Sequence, residues 1–110
     1  MATLAGCKKD TTYSFTDNFG GDGFTEYSIL LSEHDGSGSK VHTEMLDWPE
    51  KGKKYVYTAS EHSEKVKVKI QAKIGSTDYI KWIQQVFYLE EGKNIDITLE
   101  GTTVVGGKEP

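Results

Sequence analysis

Apolar and polar residues alternate with a period of two along most of this chain, and each such run predicts a β-strand. The clearest covers 65–74: Val66, Val68, Ile70, Ala72 and Ile74 take one face, and Lys65, Lys67, Lys69, Gln71 and Lys73 the other. Shorter runs cover 11–16 (Tyr13 and Phe15 on one face), 24–32 (Tyr27, Ile29 and Leu31 against Phe24 and Leu30) and 40–48 (Val41, Thr43 and Met45 against His42, Glu44 and Leu46). Two more cover 54–60, through Tyr55, Tyr57 and Ala59, and 94–101, through Ile95, Ile97 and Leu99. The stretch 79–89 is apolar on both sides, with Ile80, Trp82, Val86 and Tyr88 facing one way and Ile83, Phe87 and Leu89 the other. A strand of that kind belongs at the centre of a sheet covered on both faces. A helical stripe through Ile80, Ile83 and Phe87, capped by Thr77 and ending before Gly92, is the rival pattern. The aromatic and β-branched content favours the strand.

Turn formers rich in Gly, Ser, Asp and Asn separate these runs. About seven strands at roughly ten-residue spacing predict an all-β domain, an antiparallel two-sheet sandwich of immunoglobulin-like or transthyretin-like type. Trp82, Tyr88, Ile70 and Ile97 are expected near its core, and 65–101 is expected to form a three-stranded antiparallel meander with 79–89 in the middle. The expected organisation is a flexible tether over 1–10, the sandwich over 11–105 and a flexible tail over 106–110.

Composition narrows the function classes. The net charge is -4, and all 13 basic residues are lysines. An acidic chain is a poor nucleic-acid binder, and one without arginine has no bidentate clamp for phosphate or carboxylate. The single cysteine, Cys7, excludes an internal disulfide framework and a cysteine-based zinc site.

Candidate chemistry is sparse. Asp17, Asn18 and Asp22 on a glycine-rich turn offer oxygen ligands of the kind calcium takes, but the spacing fails the EF-hand pattern, so Asx-turn chemistry is expected. His34 and Asp35 are neighbours on an expected solvated turn, without a nucleophile to complete a triad. His42 and Glu44, at i and i+2 of a strand, share a face as two metal ligands would; His62 is the nearest third, and nothing in the sequence brings it to them. No cofactor, metal site or catalytic residue is therefore expected. An exposed aromatic platform from Trp48, Tyr55, Tyr57 or Tyr79 would serve glycan binding. The lysines Lys65, Lys67, Lys69 and Lys73 form a basic stripe, either a binding surface, for which Lys65, Lys67 and Lys69 are the candidates, or a defence against edge aggregation.

At the N-terminal end, Leu4-Ala5-Gly6-Cys7 followed by Lys8-Lys9-Asp10 resembles the lipobox and polar tether of bacterial lipoprotein precursors. The resemblance implies cleavage before Cys7, a lipid on that residue, and a place in the bacterial cell envelope as an outer-membrane lipoprotein. Only six residues precede Cys7, short of the charged and apolar regions of a signal peptide, so a chain trimmed upstream is expected. The lysine-rich, arginine-free style also resembles small uncharacterised lipoproteins of Bacteroidetes. Since no nucleophile, metal or phosphate motif stands out, a non-catalytic, membrane-tethered protein that binds an envelope protein partner or takes part in an assembly is expected. A glycan-binding module and, further off, a small hydrolase are the alternatives.

Overall fold

The computed structural model describes residues 10–110. The described residues form an all-β sandwich. Its nine strands are β1 (Thr12–Asp17), β2 (Glu26–His34), β3 (Lys40–Asp47), β4 (Lys54–Thr58), β5 (Lys65–Ile74), β6 (Thr77–Ile83), β7 (Phe87–Tyr88), β8 (Asn94–Leu99) and β9 (Val105–Gly106). A three-stranded sheet in the order β4-β1-β8 packs on a six-stranded sheet in the order β3-β2-β5-β6-β9, with β7 also pairing β5.

The core follows from the alternation. Tyr27, Ile29 and Leu31 of β2 and Val66, Val68, Ile70 and Ala72 of β5 form one wall; Tyr13 and Phe15 of β1 and Ile97 and Leu99 of β8 form the other. All are buried, so about 1.5–3 kcal/mol of apolar transfer stands behind each larger aliphatic or aromatic side chain. The hairpin from β5 to β6 turns on Gly75-Ser76, flanked by the pair Ile74↔Thr77. Gly75 sits at φ 64°, a positive value at the first loop position as a type II′ turn requires.

Three expectations need correction. The stretch 79–89 is not a central strand covered on both faces. It is broken in two, because Trp82 opposes Lys69 while Phe87 opposes Val66, so four residues of one chain stand against two of the other. This excursion, Ile83-Gln84-Gln85-Val86, keeps the side-chain alternation: Tyr79, Ile83, Phe87 and Leu89 pack on the core. The opposite face is left open, so Trp82 is only half-buried and Tyr88 is 67% exposed; neither belongs to the core. Ile70 and Ile97 do, and the strands at the heart of the large sheet are β2 and β5.

The second correction concerns the meander. The β5–β6 hairpin exists, but β8 crosses to the other sheet and runs parallel to β1, with Phe15 opposite Ile97. The sandwich therefore contains one parallel pair. The third concerns 106–110. Gly106 pairs with Trp82 as part of β9, Gln84 Nε2 donates to the Lys108 carbonyl at 2.7 Å, and Lys67 Nζ meets Glu109 at 2.8 Å. This segment lies across the large sheet, where the sequence predicts a free tail.

Candidate functional site

The two sheets are fastened at both ends of β1 by a reciprocal pair of hydrogen bonds to β2. Tyr13 Oη of β1 donates to Glu33 Oε2 of β2 at 2.6 Å, and Tyr27 Oη of β2 donates to Asp17 Oδ2 of β1 at 2.7 Å. Both carboxylates are fully buried. Glu33 Oε1 also accepts from Ser60 N and Ser63 Oγ, each at 2.7 Å. Burial pushes the Glu33 carboxyl up, and against it the hydrogen bonds from Tyr13, Ser60 and Ser63 together hold it below its usual range. Burial first, and then the hydrogen bond to the carboxylate, raises both tyrosines well above the usual phenol range. Asp17 Oδ1 accepts from the amides of Phe19 and Gly20 at 2.9 and 3.0 Å. That side chain is the Asx turn the sequence predicts, and its other oxygen is taken by Tyr27.

The groups considered for catalysis or metal binding lie apart. Asp35 is half-buried and closes its own loop, with Oδ1 accepting from Ser37 N, Ser37 Oγ and Ser39 N. These donors, led by Ser37, lower its carboxyl below the usual range. His34 is not on a solvated turn; it ends β2 with 4% exposure. Its Nδ1 hydrogen-bonds the Gly38 carbonyl at 3.1 Å, and its buried Nε2 has no partner among the described residues. His42 and Glu44 touch each other on the inner face of β3, and that contact raises the His42 imidazole above its ordinary value. Among the described residues no group of three or more His, Cys, Asp or Glu could hold a metal ion.

The aromatic candidates do not form one platform. Tyr57 stacks on Tyr13 with centroids 5.6 Å apart, Tyr79 on Phe24 at 5.2 Å, and Trp48 on Tyr27 at 5.9 Å. Tyr55 is half-buried and accepts a hydrogen bond at its hydroxyl from Glu50 N at 2.9 Å. Trp48 takes φ 50° ahead of Pro49, and its ring lies over Tyr27 and close to Gly21. Tyr55 and Tyr57 sit on the inner face of the small sheet, opposite Phe15 and Tyr13 in the register.

Lys65, Lys67 and Lys69 instead come together with other residues on the outer face of the large sheet. The register sets Met45, Leu30, Lys69 and Trp82 in one row across β3, β2, β5 and β6, followed by Gly106 of β9. The row beside it holds Asp47, Ser28, Gln71 and Ile80, and Tyr88 lies across from Lys65. Lys69 Nζ stands 5.4 Å from the centre of the Trp82 ring, within cation–π range. Lys67, whose side chain is only 14% exposed, is covered by Glu109. Met45, Ile80 and Tyr88 are exposed. The result is a sheet face on which large apolar groups alternate with ammonium groups. The lysines were legible in the sequence; their aromatic and apolar companions were not, since nothing local says which face of a strand will be covered. Cys7, the expected lipid-attachment residue, lies outside the described residues.

No protein-family model, curated protein or solved structure matches the chain.

Proposed function

We propose that this is a non-catalytic, lipid-anchored protein of the bacterial cell envelope, tethered through Cys7, whose sandwich binds an acidic protein partner on the outer face of its six-stranded sheet. The observation that carries the reading is the composition of that face: Met45, Ile80, Trp82 and Tyr88 meet water beside Lys65, Lys67 and Lys69 on a chain whose net charge is -4. Exposed apolar groups set beside lysines, with Asp47 and Glu109 as acidic residues among them, make a surface of the kind partners use. The lipobox resemblance supplies the tether. An immunoglobulin-like or transthyretin-like topology is part of this proposal only, and such kinship would be architectural, since a sandwich hosts many functions.

Expression of the complete reading frame in its own host, followed by membrane fractionation and intact-mass measurement, tests the tether. A diacyl or triacyl mass on a chain beginning at Cys7 is the expected result. An unmodified chain outside the membrane fraction would remove the envelope reading.

A further inference from the structure

Among the described residues, strand β3 is an edge of the six-stranded sheet with no strand beyond it. Its outward-pointing backbone can be assigned residue by residue. Ser28 pairs with Asp47, and the next bond runs from Trp48 N to Tyr27 O at 2.9 Å. The register holds from Ser28 to Glu33, so His42, Glu44 and Leu46 turn their N–H and C=O groups towards β2. Thr43 and Met45 turn theirs away from the sheet, and Val41 is the extra residue where the register shifts between Glu33 and His34. An open edge of this kind invites another strand, and inward-facing charges are the usual deterrent. Here the deterrent has an unusual form, because the two charged or ionisable groups on the inner face, His42 and Glu44, are of opposite type and one residue either side of Thr43.

We infer that β3 is a self-pairing edge, at which two copies of this chain join antiparallel about a two-fold axis through Thr43 to make one continuous sheet. A two-fold axis perpendicular to the sheet keeps inner faces together and sets Thr43 opposite its own copy, Val41 opposite Met45, and His42 opposite Glu44. Thr43 then falls in a hydrogen-bonded pair with its own copy, and Met45 lies across from Val41 at the bulge. His42 and Glu44 fall in the non-hydrogen-bonded pairs, where side chains approach most closely. Sliding the copies by one pleat either way puts Glu44 against Glu44 or His42 against His42, so charge fixes the register. On the outer face Val41 and Met45, exposed by 41% and 62%, cover each other twice. The pairing needs no lipid on Cys7 and leaves the row from Leu30 to Trp82 free.

Single cysteines placed in a Cys7→Ser background test both the pairing and its register. Under mild oxidation at high protein concentration, Thr43→Cys cross-links to itself. Val41→Cys and Met45→Cys each stay monomeric alone, since like positions stand roughly 13 Å apart along the strands, and they cross-link when mixed. A Thr43→Cys chain that stays monomeric, or cross-linking by all three variants alike, overturns the proposal. Sedimentation of the full chain gives the second readout. His42→Glu is expected to weaken self-association on the order of tenfold by opposing carboxylates across the axis, and His42→Glu with Glu44→Lys to restore it. Self-association indifferent to both changes, or absent from the parent chain, also overturns it.

Discussion

The sandwich has two outer faces, and they are finished differently. On the small sheet, β1, β4 and β8 turn outward Thr12, Ser14, Thr16, Lys54, Val56, Asn94, Asp96 and Thr98, mostly short polar side chains that bond one another. Thr12 Oγ1 donates to Asn94 Oδ1 at 2.8 Å, Ser14 donates to Asp96, and Lys54 stands 3.4 Å from the same carboxylate. Ser14 first and Lys54 next hold the Asp96 carboxyl below its ordinary range. This face satisfies its own polar groups. The large sheet also carries polar pairs on its outward side, Ser28 with Asp47 and Lys67 with Glu109, but among them Met45, Ile80 and Tyr88 stand exposed to water. Large apolar side chains left in water contribute little to stability, and the large sheet leaves Met45, Ile80 and Tyr88 exposed where the small sheet leaves Val56.

Substitutions can break or sharpen that contrast. The largest effect is expected between the sheets, on which both faces depend. Leu31→Ala, at a fully buried position, should cost about 2–5 kcal/mol in a urea titration, against less than about 1 kcal/mol for Ile80→Ala on the open face. Next comes the buried clasp. Glu33→Gln should cost about 1–3 kcal/mol, because the amide cannot accept from Tyr13, Ser60 and Ser63 together. It should also change the acid limb of the stability curve. The Glu33 carboxyl titrates lower in the folded chain than its ordinary value of 4.5. Its contribution is therefore complete above that value and is lost as pH falls below it, through the folded-state value. The parent chain should lose this part of its stability on acidification, and the Gln variant should not.

Smaller effects are expected elsewhere. A Cβ on Gly21 would lie 2.8 Å from both Trp48 Cζ3 and Tyr27 Cδ2, so Gly21→Ala should destabilise by about 1–3 kcal/mol and alter the tryptophan emission. On the finished face, Ser14→Ala removes the donor to Asp96 and should cost about 1 kcal/mol in thermal unfolding. The smallest change in stability is expected on the open face, where Lys69→Glu, opposite Trp82, should stay within about 0.5 kcal/mol. With Ile80→Ala, it is the variant that should impair partner binding while leaving the fold intact.

The strands were legible because the alternation is local. In β5 the run Val66, Val68, Ile70, Ala72 reads directly as a buried face, and burial follows it. Partners were not legible, because Ile95, Ile97 and Leu99 of β8 would alternate in the same way in either sheet; only the packing sends them beside β1. Trp82 and Tyr88 were expected in the core for the same reason. Apolar residues on both sides of a strand do not say which side the second sheet reaches. The break in that stretch had a weak signal, the polar pair Gln84-Gln85 among apolar residues. The Glu33 clasp had one too, since Glu33 follows Tyr27, Ile29 and Leu31 on the same face with the same period and must meet a polar partner if buried. The lysine side of the candidate surface was readable from β5 alone, whereas its row with Met45, Leu30 and Trp82 needed the register of four strands.

The most direct test of the account is a photo-cross-linking residue placed at Ile80 on the large sheet and, in parallel, at Val56 on the small one, both exposed, in cells of the native host. The account predicts a discrete protein adduct from position 80, lost when Lys67 and Lys69 are both changed to Glu, and none from position 56. An adduct from position 56 alone, equal adducts from both, or none from position 80 would contradict it.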